Sequence, residues 1–239
     1  MSPTFSPLYR QIKDLLLEGL RKGEWGPGEP IPSEVELAVR FRVSQGTVRK
    51  AIDELAAENL VVRRQGKGTF VATHGEAQVR FHFLKLAPDE GEPVAPERKL
   101  LEFRRARAPV ELAKLLALRT GDPLVMLKRL LVFSREPVIL EEVWLPGTLF
   151  KGLTAQAVSE HKGALYNLFE TQFGTRMVRA EERLKAVSAD AASAKWLGVD
   201  EGHPLLQAMR LSYTYGDRPV EWRRGLYKTD SYFYRSELG

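Results

Sequence analysis

The stretch Val43-Ser44-Gln45-Gly46-Thr47-Val48-Arg49-Lys50-Ala51-Ile52-Asp53-Glu54-Leu55 decides how the first part of this chain folds. Its apolar residues recur at helical spacing and form one stripe, made of Val48, Ala51, Ile52 and Leu55. Ser44 stands where an N-cap belongs, and the polar side chains fall on the other side of the helix: Gln45, Thr47, Arg49 and Lys50. Such a helix fits the major groove of DNA, where base edges present donors and acceptors. An ordinary amphipathic surface helix has the same pattern, so the neighbouring segments must decide.

The residues before this stretch predict two further helices. Pro7 suits a first helical turn, and apolar residues then recur at helical spacing until Gly23. Segment 26–32 is rich in Pro and Gly and predicts a rigid turn. Ser33 and Glu36 have the spacing of a capping box, which opens the second helix.

The residues after the stretch predict a basic hairpin. Two short β-type runs, 60–64 and 69–72, flank Gln65-Gly66-Lys67-Gly68, whose glycines permit a tight turn. No acidic residue occurs between Leu60 and Thr73. Three helices followed by a basic hairpin make a winged helix-turn-helix, and this order favours DNA contact over a merely solvated turn.

Six segments within residues 7–72 resemble the GntR family of bacterial transcription regulators. They are Pro7-Leu8-Tyr9-x-Gln11-Ile12, Pro27-Gly28, Ile31-Pro32-Ser33-Glu34, Val43-Ser44, Thr47-Val48-Arg49 and Arg64-Gln65-Gly66-Lys67-Gly68-Thr69-Phe70-Val71. The resemblance implies that the third helix enters the major groove and that the hairpin, or wing, reaches the adjacent minor groove. It implies a DNA-binding set made of Ser33, Ser44, Gln45, Thr47, Arg49, Lys50, Arg64, Gln65, Gly66, Lys67 and Gly68.

Two positions depart from the pattern that is common in this family. Gln45 stands where members often carry arginine, and Val35 stands where many carry a basic residue. Arginine reads guanine with two hydrogen bonds, whereas glutamine suits adenine. We therefore expect an operator that differs in detail from those usual in the family.

The character of the sequence changes after the polar link 73–77. We divide the chain there into a DNA-binding domain, residues 1–75, and a second domain, residues 76–239. The second domain predicts helices at 110–116, 165–173 and 190–197, and strands at 79–86, 98–105, 123–133, 138–145, 177–187, 205–215 and 219–227. Two hairpins, 123–145 and 205–227, each follow a helix and a Gly-x-Pro-Leu sequence, which suggests an internal duplication. The predicted fold class is α+β, an antiparallel sheet with helices on its faces.

The second domain resembles the UTRA effector-binding domain of the HutC-type branch of the GntR family, whose fold is similar to that of chorismate lyase. The matching features are Arg129 with Pro137, Glu141, Leu145-Pro146, Leu165-Tyr166 and Asp230-Ser231-Tyr232. The resemblance implies that a small-molecule effector is bound by Arg129, Glu141 and Tyr232.

Arg129 interrupts a strand that is otherwise apolar. A guanidinium in such a strand must be paired or face a cavity, because burying it alone is costly. Two interpretations stay open, a salt bridge to Glu141 or Glu142 and a clamp for an anionic ligand. Arg80 and His82, on the first predicted strand, could supplement the site, although a solvated or interface role suits each of them as well.

Other residues bear on the kind of effector. Family members that bind phosphosugars tend to carry Arg and Ser where this chain has Leu131 and Ala164. Their loss favours a less charged ligand, such as a carboxylate or amine metabolite. Segment 221–224, Glu-Trp-Arg-Arg, favours a buried ion pair first and a contribution to the pocket second.

Composition excludes several classes of site. The chain has 239 residues and no cysteine, so disulfides and thiolate sites are excluded, and its four histidines lack metal-ligand spacing. We expect no metal, no cofactor and no catalytic residue, because no nucleophile with a base and an orienting group is recognisable. The chain shows no signal peptide and no membrane span, which favours the cytoplasm. Its net charge of +5 is weak support for a nucleic-acid partner.

The sequence thus predicts a cytoplasmic regulator that binds double-stranded operator DNA and a small-molecule effector. We expect a homodimer on a palindromic operator, with repression relieved by the effector. Two alternatives remain at this point, a lyase-like enzyme that uses the second domain as a catalytic pocket, and a structural nucleoid protein.

Overall fold

Three helices and a hairpin make up the first part of the computed structural model, which describes residues 6–73 and 85–236. We call this part the head. Its elements are α1 (Leu8–Lys22), α2 (Glu34–Phe41), α3 (Gln45–Ala57), β1 (Val61–Arg64) and β2 (Gly68–Val71). β1 and β2 are antiparallel partners, which confirms the predicted winged helix-turn-helix.

The helix boundaries of the head follow the capping signals of the sequence. α1 begins directly after Pro7 and ends at Gly23, whose φ of 72° is readily adopted only without a Cβ. Ser33 and Glu36 form both hydrogen bonds of the capping box at the start of α2. The Ser44 side chain accepts a hydrogen bond from the Thr47 amide at 3.2 Å and so caps α3.

The core of the head contains the predicted apolar stripe of α3. All four residues of the stripe are at most 1 % exposed. They pack against apolar residues from every other element of the head: Ile12, Leu16, Leu20, Ile31, Leu37, Leu60, Val61 and Val71. Burial on this scale fixes which side of α3 faces outward.

A six-stranded antiparallel sheet forms the centre of the second part. Its strands are β4 (Glu97–Arg107), β5 (Pro123–Phe133), β6 (Glu136–Pro146), β7 (Arg179–Ser188), β8 (Pro204–Thr214) and β9 (Arg218–Tyr227), in the order β4-β5-β6-β9-β8-β7. The helices are α4 (Val110–Leu115), α5 (Ala155–Glu160), α6 (Leu165–Phe173) and α7 (Ala191–Leu197). β3 (Leu86–Pro88) and β10 (Tyr232–Tyr234) form a separate antiparallel pair.

The strand order has the symmetry that an internal duplication produces. β4, α4, β5 and β6 run from the outer edge to the middle of the sheet, and β7, α7, β8 and β9 do the same from the other edge. The two halves meet where β6 pairs with β9. This arrangement supports the duplication inferred from the repeated Gly-x-Pro-Leu sequences.

The two faces of the sheet are covered differently. α4 and α7 pack on one face through separate apolar clusters. On the other face, α5 and α6 cover one end, and the β3–β10 pair covers the opposite end. Between these two covers lies a strip of the sheet that carries charged side chains. This strip is the candidate effector site.

Several boundaries differ from the prediction. The β5–β6 turn consists of Ser134 and Arg135, with φ of 48° and 74°, and β6 already begins at Glu136. Pro137 fits inside the strand because the register shifts beside it, so that its missing amide breaks no regular ladder. α5 and β10 were not predicted, since both are too short to show a periodic pattern.

Part of the predicted organisation falls outside the described residues. The structure does not describe residues 74–84, which include most of the link 73–77 and most of the strand predicted at 79–86. The predicted site residues Arg80 and His82 lie in this range. Among the helices in residues 6–73 and 85–236, none is long and apolar enough to cross a bilayer.

Candidate DNA-binding surface and effector site

One carboxylate, that of Glu34, organises the polar face of α3. It accepts hydrogen bonds from Arg49 Nε at 2.9 Å, from Gln45 Nε2 at 3.3 Å and from Arg63 Nη2 at 3.0 Å. Glu34 is only 19 % exposed at its side chain, whereas Arg49 is 55 % exposed. The carboxylate at the start of α2 therefore holds donors from α3 and from the wing in a fixed arrangement with their outer edges in solvent.

The first turn of α3 presents small hydroxyl groups. Ser44 and Thr47 share a hydrogen bond of 2.8 Å between their side-chain oxygens. Gly46 lies between them and adds no side chain to this surface, where a Cβ would meet only the Ser44 hydroxyl oxygen at 3.9 Å. This end of the helix can approach a surface closely, as a helix entering a groove by its N-terminus must.

Lys50 extends the surface toward α1. Its ammonium group lies 4.1 Å from the centre of the Tyr9 ring, a cation–π contact that fixes a long and otherwise flexible side chain. Arg10 lies beside the same ring and donates from Nε to the Tyr9 hydroxyl at 3.3 Å. The prediction from the sequence did not include Tyr9 and Arg10, because their positions in α1 do not reveal this proximity to α3.

The wing tip is exposed throughout Gln65–Gly68. Gly66 and Gly68 have φ of 70° and 102°, in the region that L side chains rarely adopt. Arg64 stacks on the ring of Phe70, with 4.5 Å between the guanidinium carbon and the ring centre. The tip thus offers Lys67 and two bare backbone segments to a partner.

The head brings the predicted DNA-binding residues onto α3 and the wing, apart from Ser33. The Ser33 hydroxyl accepts from the Glu36 amide at 3.3 Å and caps α2. Its DNA contact therefore stays a prediction, beside a structural role that the structure shows. Glu34 and Arg63 were absent from the predicted set, although the absence of acidic residues around Arg63 was a usable signal.

Six buried or half-buried charged side chains form a row across this strip of the sheet. We call them the ionic belt: Arg129 on β5, Glu141 on β6, Glu221 and Arg223 on β9, Arg210 on β8 and Glu182 on β7. Three are arginines and three are glutamates, so the belt is balanced in charge. The belt lies between α6 and the β3–β10 pair.

Arg129 and Glu141 form the centre of the belt. They are 4 % and 2 % exposed, and Arg129 Nε and Nη2 both donate to Oε1 of Glu141, the former at 2.7 Å. Glu142 points to the other face, where it accepts from Trp144 Nε1 at 2.6 Å. The structure therefore shows the salt bridge to Glu141 and excludes the one to Glu142, which was the other partner considered.

The protonation of Glu141 reflects this environment. Burial by itself raises the pKa of a carboxyl group, but the positive charges of Arg129 and Arg223 outweigh it and lower the pKa of Glu141 to about 2. Arg223 Nη1 donates to the second Glu141 oxygen at 3.0 Å. Glu141 is thus a permanent anion that two arginines hold in place.

The remaining members link the belt to α6. Arg223 also donates to Glu221 at 2.9 Å, so the ion pair expected within segment 221–224 is present. The Tyr166 hydroxyl, at the start of α6, donates to Glu221 at 2.8 Å and contacts Ser212. Burial raises the pKa of Tyr166, which keeps this donor protonated. A helix that covers the sheet is thereby hydrogen-bonded to the belt.

Arg210 and Glu182 complete the row at 2.6 Å, and the Tyr234 hydroxyl donates to Glu182. The prediction from the sequence missed Arg210, Glu182 and Tyr166. The duplication contained the signal for Arg210, because Arg129 and Arg210 are each the seventh residue of a strand that begins with Pro-Leu.

Tyr232 does not join Arg129 and Glu141. It lies on β10 opposite Pro88, and its ring packs against Phe133 with 5.6 Å between the centres. Phe133 is four residues beyond Arg129 on β5, so Tyr232 covers the end of the strip rather than its centre. It lines a separate cleft of about 450 Å³ with acidic residues that include Glu92 and Glu136. The structure thus shows Tyr232 outside the ion pairs of Arg129 and Glu141, and its contact with an effector stays a prediction.

The belt can recognise a ligand by exchange of partners. Its guanidinium groups bind carboxylates, and its glutamates bind ammonium or hydroxyl groups, but each is already paired. A ligand must therefore replace or extend these pairs. Within residues 6–73 and 85–236, no three His, Cys, Asp or Glu side chains come together in a way that could hold a metal ion.

Comparison with known protein families agrees with both parts of the fold. Residues 8–71 match bacterial regulatory proteins of the gntR family, and residues 92–232 match the UTRA domain. Together these matches extend over most of the chain.

Two curated relatives are named as repressors. The mannosyl-D-glycerate transport/metabolism system repressor MngR of Escherichia coli strain K12 is 30 % identical over 230 residues, which cover 95 % of this chain and 93 % of that protein. The probable fructoselysine utilization operon transcriptional repressor of the same strain is 28 % identical over 216 residues, covering 89 % of this chain and 87 % of the relative.

Solved structures give the same picture. The ligand-binding domain of a putative GntR-family transcriptional regulator from Bordetella bronchiseptica is 52 % identical, with a TM-score of 0.65, and covers 67 % of this chain and all of that one. PhnF from Mycobacterium smegmatis is 28 % identical with a TM-score of 0.57, covering 98 % of this chain and 99 % of PhnF.

Proposed function

Since the chain belongs to the GntR family of bacterial regulatory proteins and carries a UTRA domain, we propose that it is a repressor that a small molecule bound at the ionic belt releases from its operator. GntR regulators bind operator DNA, and UTRA domains bind small-molecule effectors. The chain is accordingly a DNA-binding regulator. The alternative of a lyase-like enzyme has no support, because its relatives are named as repressors and its structural neighbours as regulators.

The belt is the observation that carries the effector part of this proposal. Burying charged groups is costly even when they are paired, and apolar residues of similar volume would often stabilise a sheet better. A domain that served only to join two heads would not need six such groups. Their position between two covers, in one row on the same face of the sheet, suits a ligand that exchanges partners with them.

The effector we propose is a metabolite with a carboxylate or an amine. Arg129 provides the partner for a carboxylate, and Glu141 provides the partner for an ammonium group. Leu131, two residues beyond Arg129, is buried in an apolar cluster and offers no donor to a phosphate. Members of the family that bind phosphosugars tend to carry arginine at this position, so leucine here favours a carboxylate or an amine over a sugar phosphate.

The assembly we propose is a homodimer that acts in the cytoplasm on a palindromic operator. Symmetric dimers present two identical heads, and a palindrome provides two identical half-sites. We place the division between the DNA-binding and effector domains at residues 75 and 76, between the two family matches.

Screening with purified protein tests the proposal. Carboxylate and amine metabolites are ranked by the rise in melting temperature, and those that stabilise the protein are added to complexes with promoter DNA. We expect the stabilising compound to release the DNA, and Arg129→Lys to abolish both effects. Lys128→Ala is the matched control, because Lys128 lies next to Arg129 on the opposite face. Stabilising compounds that leave DNA binding unchanged would refute the proposal.

A further inference from the structure

Arg176 connects the two parts of the structure. It lies in the short segment between α6 and β7, and its side chain is 4 % exposed. Its Nη2 donates to the carbonyl oxygen of Asn59 at 2.8 Å, and its Nη1 donates to that of Leu60 at 3.2 Å. Both carbonyl groups belong to the head, at the turn that leads from α3 to β1.

The acceptors mark the C-terminal end of the recognition helix. α3 ends at Ala57, and Asn59 has a φ of 56°, so the backbone changes direction there. The Leu60 amide bonds back to Leu55 in the last turn of α3 at 2.9 Å. A cation at this end also complements the helix dipole. Any displacement of Arg176 therefore acts on the segment that fixes the end of α3.

The other side of Arg176 faces α6. Its Nε lies 3.6 Å from Oε1 of Glu170, and both side chains are buried. Glu170 follows Tyr166 by four residues, so the two stand one turn apart on the same side of α6. Tyr166 donates to Glu221 in the ionic belt. A short rigid helix thus contacts the belt at one turn and Arg176 at the next.

Apolar packing surrounds this contact. Val178 and Tyr215 pack against the core of the head. Gly216 approaches Arg21 of α1 so closely that a Cβ there would lie 3.0 Å from Arg21 Nε. The contact between the two parts therefore consists of close packing as well as hydrogen bonds. Close packing of this kind opposes small movements of one part against the other.

We propose that Arg176 is a positioning residue that couples the ionic belt, through α6, to the end of recognition helix α3. Its acceptors are main-chain atoms, so its bonds constrain the backbone of the head itself. An effector that moves Tyr166 moves α6, and the buried pair of Glu170 with Arg176 conveys that movement to Asn59 and Leu60. This inference rests on the proposed regulation by an effector, and it assigns a route to it.

Linkage makes the coupling measurable without the effector. If the state of α6 changes the affinity for DNA, then DNA binding changes the state of α6 by the same free energy. The probe is a duplex that the purified wild-type protein selects from a random-sequence pool, at a concentration that saturates each variant. The measured quantity is hydrogen–deuterium exchange of the amides of Leu165–Phe173, with and without the duplex.

The comparison uses the full-length wild-type protein, Arg176→Gln, Glu170→Gln and Arg183→Gln. Glu170→Gln keeps the hydrogen bonds of Arg176 to the head and removes its ion pair with α6, so it remains informative if Arg176→Gln does not fold. Arg183→Gln is the matched control, since Arg183 is an exposed arginine on β7. We expect the duplex to change α6 exchange at least threefold in the wild type and in Arg183→Gln, and to leave it unchanged in the other two variants.

Two results separate this inference from the function on which it rests. If no duplex is selected by the wild type, the proposed function fails before the coupling is addressed. If the duplex binds but α6 exchange does not respond, or responds equally in Arg176→Gln and Glu170→Gln, the coupling through Arg176 is overturned while operator binding stands.

Discussion

At the scale of single residues, Glu34 shows how a carboxylate can belong to a surface that binds a polyanion. An exposed acid would repel phosphates, but Glu34 is mostly buried and each oxygen accepts from a donor that faces outward. Its ion pairs hold Arg49 and Arg63 in place. Because these side chains are already ordered, less side-chain entropy is lost when DNA binds. Glu34 thus positions the arginines that face DNA and does not itself attract the phosphates.

Removal of one of these donors should weaken the specific binding of operator DNA. We expect Arg49→Ala to cost about 1–3 kcal/mol of specific operator binding, if Arg49 contacts a base. Arg183→Ala, far along the effector sheet, is the control for loss of one positive charge. Glu34→Gln should weaken specific binding less, and its effect should shrink in the Arg49→Ala background because it acts partly through Arg49. Fluorescence anisotropy titrations at fixed salt measure these changes, and unchanged affinity of Arg49→Ala would remove it from the contact set.

Glu141 makes the stability of the effector domain depend on pH. Its pKa is about 2 in the folded protein against an ordinary 4.5, so below pH 5 the unfolded chain binds more protons than the folded one. Its contribution is therefore complete above pH 5 and is lost as the pH falls toward 2. We expect this single group to remove about 2 kcal/mol of stability between pH 6 and pH 3.

Urea unfolding at the two pH values tests this expectation. Three of the four tryptophans, Trp144, Trp196 and Trp222, report on the effector domain by fluorescence. The difference in unfolding free energy between the wild type and Glu141→Gln should shrink at pH 3, while Glu142→Gln, from the opposite face, should show no such trend. An undiminished difference at pH 3 would contradict the lowered pKa of Glu141 in the folded protein.

At the scale of elements, the sequence predicts best where local chemistry sets the boundary. The caps at Ser33 and Ser44 and the glycines after α1 and α6 are read from the residues themselves, and the structure places the helix ends there. The β5–β6 turn was predicted too long because Pro137 suggests a loop. Its place in a strand depends on the register of the neighbouring strand, which a single segment does not reveal.

The ionic belt shows the same limit for the site. Arg129 stood out because it interrupts an apolar strand, and its partner Glu141 followed from the hairpin. Glu182 comes from an element that the fold brings close over a long sequence distance, so no local pattern marks it. The Leu165-Tyr166 pair was recognised as a family feature, but its contact with the belt depends on how α6 packs on the sheet. The place of Tyr232 at the end of the strip depends on how β10 pairs with β3, which no local pattern shows.

The wing carries a prediction of its own. Lys67 is exposed at a tip where two glycines bring the backbone close to any surface it meets. If its ammonium group neutralises one phosphate, Lys67→Ala should weaken binding to all sequences alike and reduce the slope of log affinity against log salt by about 1. Lys151→Ala, outside the head, is the control. A change confined to one base pair of the operator would instead show that Lys67 reads a base.

At the scale of the whole molecule, a single head is followed by an effector domain whose sheet has two similar halves. Each half contributes an arginine at the seventh position of a strand, Arg129 in β5 and Arg210 in β8. The next strand of each half differs in charge, because its sixth residue is Glu141 in β6 but Arg223 in β9. This exchange of charge lets the halves pair across their junction at 3.0 Å. The two halves therefore have the same strand arrangement, while charged side chains that differ between them form the buried site.

A proposed dimer of such molecules sets the geometry of the operator. Two heads held by a symmetric effector dimer meet DNA on one side only if the half-site centres lie about one helical turn, roughly 10 bp, or a multiple of it apart. Inserting about half a turn, roughly 5 bp, into the centre of a selected palindrome rotates one half-site to the far side. We expect the affinity to fall at least tenfold, toward that of an isolated half-site, because one head then loses its contacts. Quantitative gel shifts with the original and the lengthened duplex measure this loss, and equal affinities would mean that each head binds independently.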